Sequence, residues 1–310
     1  LLFCFAVWLV ISHRVPLKML PFDNKNELQV VIDMPEGTTL EATAAAAGAL
    51  AEYLVRVPEV TDVSTFVGTS SPMDFNGLVR HYYLRRGAHV ADIRLNLAGK
   101  KQRTQQSHAI GLRLRNDLQQ IASHYGANIK IVEAPPGPPV IATLVAEVYG
   151  KIGQPYEELV QAATQVRRHM ETTHGVVDVD DVLVALQKKL TFRVDRAKAA
   201  MHGISDGQIA ETLQGAMAGA TPGALRLESE VNPACIRLRF VREDRSRQAN
   251  LEQLMIKGTG GEAVYLTDLG TFEEEVIDQP IYHKNLQPVV YVFGDTAGLP
   301  PPDAVLQLSD

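Results

Sequence analysis

Hydrophobic and polar residues alternate from Glu27 to Met34, so that Leu28, Val30, Ile32 and Met34 share one face. That period of two predicts a half-buried strand. From Thr38 to Val57 the positions Leu40, Ala44, Ala47, Ala51 and Leu54 recur at helical spacing, which predicts an amphipathic helix. Thr61 to Val67 reads as a second strand. His89 to Leu97 alternates again, with Ala91, Ile93, Leu95 and Leu97 on one face. Gln106 to Tyr125 carries Ile110, Leu114, Leu118, Ile121 and Tyr125, a second amphipathic helix, and Asn128 to Val132 is a strand. The order β-α-β, β-α-β is the split βαβ arrangement of ferredoxin-like folds.

Residues 134–139, APPGPP, break the pattern, because four prolines in six residues join neither a central strand nor a helix. A domain boundary is expected there. The pattern then restarts with a strand from Leu144 to Gly150. A helix from Pro155 to Thr173 turns Tyr156, Leu159, Val160, Ala163, Val166 and Met170 inward, and Val176 to Val182 is a strand. The halves echo each other: Gly37 to Asp62 and Gly153 to Asp178 are each 25 residues apart. A repeated supersecondary unit accounts for that spacing.

Beyond it the chain is less regular. Lys189 to Val194 is a strand and Arg196 to His202 a short helix. Ser205 to Gln208, S-x-x-Q, fits a capping box that starts another helix. Two strand-like runs flank Asn232-Pro233, and residues 258–261, GTGG, read as a hairpin turn between LMI and AVYL. Pro288 to Phe293 is again a strand. A mixed insert of roughly 90 residues, far longer than an ordinary loop, thus interrupts the second unit. The chain ends at LPPPDAVLQLSD, before that unit has received its second helix and last strand.

The first residues need a separate account. Leu1 to Ile11 holds no charge, and Pro16 and Pro21 would end any helix there. The run is about half of the roughly 20 residues that cross a bilayer. No basic region precedes it, as a signal peptide requires. It reads either as a core helix or as the last turns of a membrane helix. The remaining composition, 45% hydrophobic over 310 residues, leaves room for two or three compact units and hides no second span. A net charge of −6 gives no reason to expect nucleic acid. Cys4 and Cys235 are the only cysteines, and no disulfide framework is expected.

Candidate chemistry is sparse. GISDG, 203–207, matches G-x-S-x-G and is followed by Asp268 and His283 in hydrolase order. That motif needs a strand before its serine, whereas KAAMH reads as a helix, so a helix cap is preferred for Ser205. The nine histidines form no ligand motif, and no phosphate-binding loop occurs, so no metal and no cofactor is expected. Met34 and Met73 are placed to approach each other, and thioethers suit Cu(I), but core gap-filling is the preferred role for methionine. RRG at 85–87 and KKQR at 100–103 lack interleaved aromatics and read as solvated loop charge. The stretch FVGTSSPMDFNGLVRHYY, 66–83, differs. It mixes Gly, Pro and Ser with Phe, Met and Leu, and apolar side chains on a loop are either tucked under it or used for binding.

Three stretches resemble one family. FRVDRAKAAMHGISDGQIAETLQGAMAG, 192–219, is similar to the signature of resistance–nodulation–division (RND) efflux pumps of the AcrB/AcrD/AcrF type. LEQLMIKGTGGEAVYLTDLGTFE, 251–273, resembles that family's periplasmic hairpin with its G-x-x-V-x-L turn. LPFDNKNELQVVIDMPEGTTLEAT, 20–43, resembles the stretch leaving its seventh membrane helix. The resemblance is to the second large periplasmic loop and implies an α+β fold. Two ferredoxin-like porter subdomains are expected, the second interrupted by a mixed α/β docking subdomain, after a truncated membrane helix. The implied bounds are 1–15 for the membrane helix, 16–134 for the first porter subdomain and 140–196 for the first part of the second. The docking subdomain takes 197–285, and 286–310 holds the return strand and a truncated remainder.

By position, 66–83 resembles the family's glycine-rich switch loop between two drug-binding pockets. That implies substrate contacts by Phe66, Met73, Phe75 and Leu78, with Gly68 and Gly77 as hinges open to positive φ. The resemblance further implies a proton-driven exporter of small amphiphilic substrates and no enzyme. It implies a homotrimer with a periplasmic adaptor protein and an outer-membrane channel, embedded in the bacterial inner membrane with most of this chain in the periplasm. A heavy-metal exporter of the same family, a membrane-anchored sensor or binding domain, and a hydrolase are the alternatives.

Overall fold

The computed structural model describes Phe3, Phe5, Trp8, Leu9 and residues 24–133, 141–151 and 153–309, without the side chains of Phe75 and Asn76. The expected membrane helix over 1–15 lies, but for those four residues, outside the described residues, as does the boundary at 134–139. No helix among the described residues is long and apolar enough to cross a membrane. The protein is a mixture of helices and antiparallel sheets that divides into two compact units. One comprises 1–187 and 278–310, the other Lys188–Ile277.

The first unit opens with β1 (Glu27–Asp33), α1 (Leu40–Val55), β2 (Val60–Thr69), the one-turn α2 (Phe75–Val79), β3 (Arg86–Leu97), α3 (Ser107–His124) and β4 (Asn128–Val132). The strands form one antiparallel sheet in the order β2-β3-β1-β4, which is the order a split βαβ unit produces. Alternation in β1, β3 and β4 sends Leu28, Val30, Ile32, Ala91, Ile93, Leu95, Ile129 and Ile131 to one face. There they pack against Ala46, Ala47, Leu50 and Leu54 of α1 and Ile110, Leu114 and Leu118 of α3. Each fully buried leucine in this layer contributes about 2 kcal/mol of transfer free energy. Small alanines on α1 bring it close to the sheet.

The chain continues with β5 (Leu144–Tyr149), α4 (Tyr156–Thr172) and β6 (Val176–Asp181). The echo between the halves has a conformational basis. Gly37 and Gly153 take φ of +87° and +80°, which is favourable only for glycine, and each stands three residues before the first residue of its helix.

The second unit follows: β7 (Lys188–Val194), α5 (Arg196–Met201), α6 (Asp206–Met217), β8 (Ala220–Leu225), β9 (Ala234–Leu238), α7 (Arg242–Arg245), α8 (Gln248–Glu252), β10 (Met255–Lys257), β11 (Ala263–Tyr265), α9 (Leu266–Leu269) and β12 (Gly270–Val276). The predicted hairpin is present, with Met255 paired to Tyr265. β7 pairs along its whole length with β12, and Phe192 meets Phe272 edge to face at 5.0 Å between ring centroids. This pairing draws β7 into the second unit, whose core is Ala199, Ile204, Ile209, Ile256, Val264, Leu266 and Leu269. The β8–β9 hairpin is exposed at every position, including Leu225, Ile236 and Leu238.

The chain returns to the first unit through β13 (His283–Lys284) and β14 (Gln287–Thr296) and ends its described part in α10 (Pro301–Ser309). Asn285 and Leu286 both take positive φ in the two-residue turn between β13 and β14, as a type I′ hairpin demands. β14 is the centre of the second sheet, with β5 on one side and β6 on the other. α4 covers it, burying Leu159, Ala163 and Met170 against Val290 and Val292. The helix over 301–309 differs from the expectation of no second helix. Its prolines stand in the first turn, where no N–H is needed.

Ser205 caps α6. Its Oγ accepts from the Gln208 N–H at 3.2 Å, and the Gln208 Oε1 accepts from the Ser205 N–H at 2.9 Å. α5, not a strand, precedes it. Ser205→Ala is expected to cost about 1 kcal/mol, read as roughly fivefold faster hydrogen exchange in α6, while Ser205→Asp leaves it unchanged.

Candidate functional site

The face of the first sheet turned away from α1 and α3 is the unusual part of the protein. The strand register places Phe66, Asp92, Val31 and Lys130 in one row across β2, β3, β1 and β4. Gln29 and Arg94 form the neighbouring row, and Asp33 stands at the end of β1 on the same face. Alternation in β1 predicts a solvated second face, but Gln29, Val31, Asp92 and Lys130 are all buried. The sheet is therefore covered on both sides, by helices on one and by charge on the other.

The charge is matched group by group. Lys130 Nζ lies 2.6 Å from Asp33 Oδ2 and also pairs with Asp180, which is on β6 of the second sheet. Arg85 donates to Asp33 Oδ1 at 2.5 Å and to the Ile32 carbonyl at 2.7 Å, and it pairs with Asp92. The second oxygen of Asp92 accepts from the Ser71 N–H at 2.7 Å and from Gln29 Nε2 at 3.2 Å. Arg94 reaches Ser71 Oγ at 3.0 Å, the Pro72 carbonyl at 3.1 Å and Asp74 at 2.8 Å. The first part of the loop after β2 is thus laced to β3. The second part is laced to β1 through Arg85.

Burial and charge act against each other here. Burial alone pushes the Asp33 carboxyl up, but Lys130 and Arg85 outweigh it and bring it down to about 2. Burial likewise pushes the Lys130 ammonium down, yet Asp33 and Asp180 hold it above the ordinary lysine range. Both groups stay ionised because each has two partners of opposite sign.

The β4 and β6 edges meet through side chains. Asp178, at φ +54°, accepts from the Ile131 N–H at 3.1 Å and from Arg115 Nη2 at 3.0 Å. Arg167 of α4 donates to Asp181 at 2.8 Å. Beside this seam lies a cavity of about 430 Å³, bordered by Asp33, Met34, Glu36, Arg167, Asp180 and Asp181. That is within the size range of small-molecule sites.

The residues expected to bind substrate fall into three groups. Phe66 is half-buried in β2, in the row with Asp92. Met73 and Leu78 are exposed on the loop, as is Leu84. The Phe75 side chain lies outside the described residues. Met34 is in the core while Met73 is 62% exposed. Among the described residues no group of three or more His, Cys, Asp or Glu side chains is placed to hold a metal ion. Of the expected hinges, Gly68 takes φ +78°, and a side chain there would meet Leu40 at 2.7 Å. Gly77 does not have positive φ. It sits in α2, its N–H donates to Asp74 Oδ1 at 2.5 Å, and a Cβ would meet that oxygen at 2.9 Å.

Solvated loop charge is the wrong description of Arg85, whose side chain is 15% exposed and pairs with two carboxylates. Arg103 is also engaged, donating to the Ala98 and Gln105 carbonyls at 3.0 Å and to Asn24 Oδ1 at 2.6 Å. Asp33, Asp92 and Lys130 escape a reading by period, because alternation is the same for a face covered by water or by another lobe. Their opposite signs at same-face positions of pairing strands are the signal that was available.

A sequence model of the AcrB/AcrD/AcrF family matches residues 1–299. No curated protein matches the chain. Two crystal structures of a heavy metal efflux pump are similar in fold. One, crystal form II, has a TM-score of 0.71 at 16% identity, covering 97% of this chain and 30% of that one. The other, crystal form I, has a TM-score of 0.70 at 17% identity, with 97% and 31% covered. The chain therefore spans about a third of the length of these solved pumps.

The Asp33 carboxyl generates a pH prediction. Its value in the folded protein lies below the ordinary 3.8. Its contribution is therefore complete above pH ~4 and disappears as pH falls through about 2. A depression of this size corresponds to about 2 kcal/mol. Between those limits the first sheet should lose about that much more stability in wild type than in Asp33→Asn, as measured by hydrogen exchange corrected for its intrinsic pH dependence.

Proposed function

This chain belongs to the AcrB/AcrD/AcrF family, and on that premise we propose that it is the periplasmic part of a proton-driven RND efflux pump that binds small amphiphilic substrates. The two split βαβ lobes of the first unit are its porter subdomains, and the second unit is its docking subdomain. The pump is a homotrimer in the bacterial inner membrane, working with a periplasmic adaptor and an outer-membrane channel. Transport involves no chemical step on the substrate, and the proton relay belongs to membrane helices elsewhere in the protein.

One observation carries this reading: a loop with exposed apolar side chains, Met73, Leu78 and Leu84, lies across a buried charged sheet face, one of whose residues, Asp33, also borders a cavity between the lobes. Exposed apolar groups that cap a polar interior suit a site that takes in amphiphiles, with Phe66, Met73, Phe75 and Leu78 as the apolar contacts. The exposed β8–β9 hairpin supports contact between protomers. A second reading, export of heavy-metal ions, is favoured by the similarity in fold to a heavy metal efflux pump.

Susceptibility of cells carrying full-length variants at matched expression tests this. Phe75→Ala is expected to weaken export of some amphiphiles by roughly tenfold and leave others unchanged, about 1.4 kcal/mol of lost burial. Gly77→Pro removes the N–H that holds Asp74 and is expected to lower export of all substrates together. Unaltered resistance for both variants across a varied panel would show that the loop is only packing. Loss of tolerance to metal salts alone would favour the second reading.

A further inference from the structure

The loop between β2 and β3 begins and ends in the first sheet, yet it is also tied to the second. Arg80 Nη1 donates to Asp295 Oδ2 at 3.2 Å. Asp295 lies on β14, where the pairing with β6 shifts register between Phe293 and Asp295. Its other oxygen is held on its own sheet by Thr143, from the backbone N–H at 3.0 Å and from Oγ1 at 2.5 Å.

Both members of the pair are dry. The Arg80 side chain is 10% exposed and the Asp295 side chain 18%. Arg80 Nε is buried with no hydrogen-bond partner, so the guanidinium gives up hydration to reach this carboxylate. A loop that merely rested on its own sheet would have no use for such a contact. Elsewhere it exposes Met73, Leu78 and Leu84 to solvent. One buried charge pair therefore fastens the middle of the loop, which is laced at its ends to the first sheet, to the opposite lobe.

We propose that Arg80 and Asp295 are positioning residues that fasten the substrate-contacting loop to the second lobe, so that the loop bridges the two lobes. The substrate-contacting part rests on the efflux reading; the fastening itself does not. Without the pair the loop follows the first lobe, to which Arg85 and Arg94 already lace it. With the pair, the position of the loop depends on both sheets.

The test is hydrogen exchange in the full-length protein, with export measured in parallel. Arg80→Gln and Asp295→Asn should each raise exchange of amides 70–84 by roughly tenfold or more, with β1 and β3 unchanged. Asp295→Asn is the informative variant, because its effect must appear in a loop that belongs to the other sheet. Arg80→Lys keeps the cation and should retain most of the loop's protection. Unchanged loop exchange in both neutral variants would overturn the proposal, as would a rise confined to β5 and β14 or spread evenly over the unit. If the loop loosens while export stays intact, the fastening stands and the efflux role of the loop fails. If export falls while loop exchange is unchanged, the efflux reading stands and the fastening fails.

Discussion

Lys130 is buried between Asp33 of its own sheet and Asp180 of the next, and the arrangement of the first unit depends on that placement. A dehydrated ammonium costs several kcal/mol, which a single carboxylate rarely repays. Two carboxylates on different lobes repay it only when the lobes are together. Asp33 is in the same position, because Arg85 of the loop and Lys130 of β4 both act on it. Lobe, loop and lobe thus share one set of charges. Such a network adds little net stability compared with an apolar filling, but it makes intermediate positions expensive. The favourable states are fully paired or opened to water.

That constraint explains the traffic around it. Asp178 adopts a left-handed backbone conformation and brings its carboxylate to the Ile131 N–H and Arg115. Arg167 engages the Asp181 carboxylate from α4. Arg94 and Arg85 secure the loop at its two ends, while Arg80 crosses to Asp295. In this AcrB/AcrD/AcrF chain the exposed apolar side chains of the loop thus stand over a compensated ionic floor rather than an apolar one.

Much of the fold was legible in periodicity. Leu28, Val30 and Ile32 declared one face of β1, Ile110, Leu114 and Leu118 the inner stripe of α3, and the twin glycines Gly37 and Gly153 the repeat. These signals are local, and each is enforced by the period of a single element. The site was less legible. The loop stood out through its composition, but its floor did not. Gln29 and Asp33 look like the wet side of a strand until the covering loop and second lobe are in place, and Arg85 looks like loop charge until Asp33 and Asp92 face it. Pairing of β7 with β12 was hidden for the same reason, since Lys188–Val194 carries no mark of its partner. Long-range covering decides these features, and no window of sequence contains it.

The most direct test measures the distance between the lobes in the full-length protein by pulsed spin-label spectroscopy. Labels belong at Ala45 on α1 and Gln161 on α4, both exposed, in a background whose native thiols, Cys235 included, are replaced. Lys130→Met removes the one cation that bridges Asp33 and Asp180, leaving Asp33 to Arg85 of its own lobe and Asp180 to the more distant Arg167 of its own, a cost of about 3–5 kcal/mol in a buried site. The account predicts one narrow distance in wild type and a second, longer population in Lys130→Met. Superimposable distributions would contradict it, since the lobes would then be held together by something other than this charge.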